Sequence, residues 1–117
     1  MKHSWLKSMG WAVQGLKTAF FRERNLRIHI SITVLVALAA LVLRIKPVEW
    51  ALLFLAVGLV LVAELVNTAI EYAVDLTQEQ YHPIAKRAKD VAAGAVLIAA
   101  LCSIIIGFLV FGPYLFK

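Results

Sequence analysis

The chain has little of what a soluble enzyme is built from. Cys102 is the single cysteine among 117 residues. It has no partner for an internal disulfide and no companion at metal-ligand spacing, so its place in an apolar run reads as packing. Charged residues make up 16% of the chain and hydrophobic ones 62%, which excludes an ordinary soluble domain. Acids are scarcer than bases, seven against twelve. That excess does not point to nucleic acid, because the Lys and Arg residues cluster beside apolar segments, where they orient a membrane protein. No internal repeat or low-complexity tract is present, and neither a Gly-rich phosphate loop nor the soluble-kinase signatures occur. The first two dozen residues scatter polar and basic positions with no h-region, so no cleavable signal peptide is expected.

What is present is a set of helical patterns. Over residues 1–24, Trp5, Leu6, Met9, Val13, Leu16, Ala19 and Phe20 recur at helical spacing with Lys2, Lys7, Gln14 and Lys17 between them. This predicts an amphipathic helix lying in the headgroup plane. A charged hinge from Arg22 to His29 follows, with Glu23 its only acid. Membrane-spanning helices are then predicted over 28–45, 50–75 and 88–111. At 1.5 Å per residue the first spans roughly 27 Å, enough to cross a hydrocarbon core. Arg44 to Glu49 reads as a tight polar turn, with Pro47 forbidding a continued helix, and Gly112-Pro113 as the end of the last helix. Gly94 and Gly107 suit close helix packing, and His29 has room to snorkel to the headgroups. The fold expected is one all-α membrane domain over residues 1–117, a surface helix followed by three spans. Nine cations flank one side, on the N-terminal arm and the loop before the third span. Three, Arg44, Lys46 and Lys117, flank the other. The N-terminus and the 76–87 loop are therefore expected in the cytoplasm.

The second span carries the chemistry. Glu64, Asn67, Glu71 and Asp75 follow one another at steps of three, four and four, which places them on one stripe of a helix. A solvated face of a helix leaving the bilayer accounts for Asp75 and Glu71, but poorly for Glu64 and Asn67. Ionisable groups at that depth are functional candidates. Glu23 and Lys89 are expected at the depth of Glu71, giving acids for a divalent cation and a lysine for phosphate. Glu64, deeper in lipid, suits a general base acting on a lipid hydroxyl, since a carboxylate stripped of water is the better proton acceptor. A small proton-coupled transporter with Glu64 as its proton carrier is the alternative from another class.

The stretch Glu64-x-x-Asn67-Thr-Ala-Ile-Glu71-x-x-x-Asp75, with Tyr81-His82 and Ala85-x-x-Ala-Lys89-Asp90 after it, resembles the prokaryotic diacylglycerol kinase family of small integral membrane kinases. Glu23-Arg-Asn-Leu-Arg27-Ile-His29 and the run from Tyr81 to Gly94 are more similar to its undecaprenol kinase branch, and Ala93 stands where the diacylglycerol branch commonly has a serine. The resemblance implies a homotrimer in the bacterial cell (inner) membrane, with sites shared between subunits and ATP with Mg²⁺ as donor. It implies Glu64 as catalytic base, and Glu23 and Glu71 as metal ligands that also serve the nucleotide. Trp11, Tyr81, His82, Lys89 and Asp90 are implied as nucleotide contacts, and Asn67 and Asp75 as supporting polar residues. Gln80 stands at a position that is acidic in the other branch. The lipid acceptor implied is undecaprenol, with diacylglycerol as the alternative.

Overall fold

The computed structural model describes residues 4–77 and 80–116. Lys2 and Lys117 of the charge count, and Gln78 and Glu79 of the predicted loop, lie outside the described residues. Among the described residues the chain is wholly helical: α1 (Trp5–Arg22), α2 (Arg24–Leu43), α3 (Pro47–Thr77) and α4 (Pro83–Leu115). Three of them, α2, α3 and α4, are long and apolar enough to cross a membrane. The longest dimension, 54 Å, is close to the length of α4 alone at roughly 1.5 Å per residue. The long helices therefore lie side by side.

The ends of these helices follow from local chemistry. Ser4 caps α1 by accepting from the Lys7 N–H at 3.2 Å. Between α1 and α2 the break is a single residue, Glu23, in an extended conformation (φ −106°, ψ 109°), so the predicted eight-residue hinge is mostly helix. Arg27 holds that corner by donating Nη1 to the carbonyls of Phe20 and Phe21 at 2.8 and 3.0 Å, which satisfies acceptors left over at the end of α1. α2 stops at Leu43, two residues short of the expected limit, because Arg44 turns left-handed (φ 55°, ψ 54°). The Ile45 N–H then reaches Ala40 O and the Arg44 N–H reaches Leu41 O, a Schellman closure whose usual apolar contact is supplied by buried Ile45 and Ala40. The polar turn is accordingly shorter than expected. Pro47 already belongs to α3, as its first residue, where a missing N–H costs nothing. Glu49 accepts from the Lys46 N–H at 2.9 Å, half of a capping box.

Pro113 corrects the sequence reading, since it lies inside α4, which runs on to Leu115. Only one backbone bond is forfeited that close to a helix end. The glycines are a second correction: an added Cβ at Gly94 or Gly107 would meet nothing within 4 Å, so neither serves close packing inside this chain.

α3 and α4 run antiparallel and are pinned at three levels. Tyr114 donates its hydroxyl to Glu49 Oε1 at one end, Lys89 meets Asp75 at the other, and Ser103 Oγ donates to Ala56 O between them. The core lies toward the Tyr114 end, where Ala40, Ile45, Leu53 and Val110 bury one another. Beyond it a cleft of about 350 Å³ opens between α2, α3 and α4. Many large apolar side chains stay exposed around this bundle, Phe54 and Phe108 among them, as lipid-facing helices require.

Candidate active site

The C-terminal half of α3 carries the stripe, and its members engage different helices. Glu64 is buried, at 5% exposure, with buried Thr68 one turn further along α3. Its Oε1 lies 3.4 Å from His29 Nε2 on α2. Asn67 Nδ2 donates to Glu71 Oε1 at 3.1 Å, while the buried Asn67 Oδ1 has no partner among the described residues. Tyr72 donates its hydroxyl to Glu23 Oε1 at 2.7 Å, tying α3 to the corner between α1 and α2. Asp75 Oδ1 accepts from Lys89 Nζ at 2.5 Å, tying it to α4.

Geometrically, Glu23 is bonded to the residue beside Glu71, and Lys89 lies one turn further toward the same end. Glu64 is set apart, deeper by roughly 10 Å of helix rise. The site therefore has an apolar level with one buried carboxylate and a polar level with three carboxylates and an ammonium. Among the described residues no three His, Cys, Asp or Glu side chains converge tightly enough to enclose a metal. The two carboxylates Glu23 and Glu71 fit a different design. Mg²⁺ takes one or two carboxylates and completes its octahedron with water and phosphate oxygens.

The other residues implied by the resemblance lie on α1, in the loop before α4 and on the first turns of α4. His82 caps α4: its Nδ1 accepts from the Ile84 N–H at 3.1 Å, and Pro83 between them has no N–H to satisfy. Asp90 accepts from Lys86 one turn earlier at 2.6 Å, an exposed pair. Tyr81 and Gln80 are exposed at the start of the loop-to-helix junction, and Trp11 is exposed on α1. Ala93, also exposed, brings no hydroxyl to α4.

Two residues at the site were not legible as such. His29 turns inward to Glu64 instead of snorkelling, and Tyr72 bridges to Glu23 across 49 positions of sequence. The one available signal was a lone histidine early in an otherwise apolar span. Tyr72 offered none, since the residue after Glu71 points off the acidic stripe in a helical projection.

Comparison with known proteins places this geometry in a family. The profile described as "Prokaryotic diacylglycerol kinase" matches residues 10–111. Undecaprenol kinase of Bacillus subtilis (strain 168) is 41% identical over 109 residues, covering 93% of this chain and 89% of its own length. A diacylglycerol kinase of Synechocystis sp. is 48% identical over 103 residues, covering 87% of this chain and 59% of its own length. The diacylglycerol kinase of Escherichia coli (strain K12) is 34% identical over 100 residues, covering 86% and 82%. With a family profile matched across most of its helices and such relatives on either side, this chain belongs to the prokaryotic diacylglycerol kinase family.

Proposed function

We propose that the chain is a lipid kinase that moves the γ-phosphoryl group of ATP to the hydroxyl of undecaprenol, giving undecaprenyl phosphate and ADP. The carrying observation is that one helix, α3, bears a buried carboxylate at an apolar level and a charged cluster two turns further on. A greasy alcohol and a highly charged nucleotide need those two levels side by side. The relative named undecaprenol kinase, matched over 93% of this chain, supports the acceptor.

In this reading Glu64 removes the proton from the lipid hydroxyl, and the freed oxygen attacks the γ-phosphorus as the bond to ADP breaks. Bound Mg²⁺ would neutralise phosphate charge, held by Glu23 and Glu71. Asn67 orients Glu71 through its 3.1 Å hydrogen bond. Asp75 holds Lys89 at the level where a phosphate would claim it. Trp11, Tyr81, His82 and Asp90 surround the nucleotide. The cleft between α2, α3 and α4 is nearly all apolar and leads away from His29, which suits an isoprenoid chain. The N-terminus and the loop before α4 face the cytoplasm of a bacterial cell (inner) membrane, α1 lies in the headgroup plane, and three chains assemble around shared sites.

A diacylglycerol acceptor is the second reading, favoured by the 48% identity to a protein of that name. Ala93 weighs against it, having no hydroxyl for a glycerol headgroup. The transporter alternative has no use for Glu23 or Lys89, yet both are tied to the acidic end of α3. Side-by-side turnover of the two lipids with labelled ATP, using purified protein in vesicles, decides the acceptor. Undecaprenol should be preferred by at least about tenfold. A preference for diacylglycerol would keep the kinase and overturn the substrate.

A further inference from the structure

On the kinase reading the proton taken from the lipid hydroxyl has to leave Glu64, and among the described residues one group stands ready to receive it. The carboxyl is buried, and one ion-pair contact to it exists among the described residues, His29 Nε2 at 3.4 Å. The His29 side chain is 25% exposed against 7% for that of Glu64, so it stands between the buried acid and the outside. Apart from the Thr68 hydroxyl and the Asn67 carbonyl oxygen, neither of which is basic enough to keep a proton, the other groups near the pair among the described residues are already engaged. On α2, Thr33 Oγ1 donates to the His29 carbonyl at 2.8 Å. On α3, Asn67 is bonded to Glu71, itself roughly 10 Å further along the axis. On α4 the nearest ionisable side chains toward that end, Lys89 and Asp90, are paired with Asp75 and Lys86, and Cys102 follows three turns deeper. At the α1–α2 corner Glu23 is bonded to Tyr72, and Arg27 to the end of α1.

The cleft below makes the same point. Its polar side chains are His29, Thr33 and Ser103. Thr33 and Ser103 each spend their hydroxyl proton on a backbone carbonyl. An alcohol whose chain fills this cleft therefore meets His29 and the adjoining Glu64 as its polar end.

We infer that His29 is a positioning residue for the phosphoryl transfer: it holds the Glu64 carboxylate toward the lipid hydroxyl and then accepts the proton that Glu64 removes. The inference rests on the kinase reading. The hydroxyl proton passes to Glu64, and the oxygen's electron pair forms the new bond to phosphorus. ADP leaves with the electrons of the broken bond. The neutral ring then changes tautomer by exchange with headgroup water, its proton moving from Nε2, where it held the carboxylate, to Nδ1. Glu64 passes its proton to the freed Nε2, and the imidazolium releases the Nδ1 proton to headgroup water, so both groups are restored for the next cycle.

The test uses the full-length protein in vesicles with His29→Gln and His29→Ala. Gln keeps a hydrogen-bonding group but cannot carry the proton. His29→Gln should lower kcat by about 10- to 100-fold with KM for ATP and for lipid unchanged. Added imidazole should restore turnover to His29→Ala in proportion to its concentration and leave His29→Gln unmoved. A wild-type kcat in His29→Gln, a loss confined to KM, or no rescue by imidazole would overturn the inference. The pair itself is read without turnover, from the ring-nitrogen NMR signals of His29. They should shift on Glu64→Gln and stay in place on the distant Glu49→Gln. Unmoved signals on Glu64→Gln sink the pairing. A wild-type protein that shows the pair yet phosphorylates no lipid alcohol sinks the kinase reading, and the proton transfer with it.

Discussion

The carboxylates of the C-terminal half of α3, with Asn67 and Tyr72, each share a hydrogen bond or ion pair with a specific partner, and the partner determines what its removal should do. Glu71 and Glu23 are held by Asn67 and Tyr72. Replacing either with Gln keeps the shape but removes a hard ligand. The Mg²⁺ concentration needed for half-maximal rate should rise by about tenfold or more, read from magnesium titrations of ATP turnover; an unchanged requirement would remove that residue from the metal. Lys89→Ala should cut kcat/KM for ATP by about 100-fold while lipid KM stays put. The α3 carboxylates were legible in sequence because carboxylates in an apolar span stand out at once, and helical spacing puts them on one stripe. Their partners were not. Helices that cross at an angle change neighbours along their length, so one stripe meets α2 at Glu64 and α4 at Asp75. Nothing in local periodicity encodes that crossing.

Among the elements, the apolar runs gave the number and rough extent of the helices, while their ends depended on bonds that span a few residues. Arg44 illustrates this. Its charge suggests a polar turn, yet its part is to take the left-handed position that closes α2. A side chain there costs about 1 kcal/mol that glycine avoids. Arg44→Gly should therefore stabilise the protein by about that amount, measured by reversible unfolding in mixed micelles; a loss of stability would mean that the arginine side chain outweighs its backbone. The α3–α4 pair offers the opposite case. Ala99 is almost fully covered, one turn from Ser103, whose hydroxyl bonds Ala56 O. Ala99→Leu should overpack this seam and cost about 1–3 kcal/mol in the same measurement. Pro113 was misread because proline is disruptive deep in a helix and tolerated near its end, and sequence alone does not say where the end falls.

For the whole molecule, the cation count is the basis of the proposed orientation, and an apolar cleft opens between α2, α3 and α4. With Cys102 replaced by Ser, a single Cys introduced at Lys46 should react with an impermeant thiol reagent from outside intact cells, and one at Arg87 only after lysis; the reverse pattern would invert the topology. The helical fold and the file of carboxylates on α3 were thus readable from one sequence, whereas the His29–Glu64 pair needed the packing of α2 on α3. The most direct measurement is phosphate transfer from ATP to undecaprenol by wild-type protein and Glu64→Gln, with size and helicity checked in both. Turnover should fall by at least about 100-fold in Glu64→Gln while assembly is kept. A Glu64→Gln protein that still phosphorylates the lipid at the wild-type rate would contradict the role of the buried carboxylate.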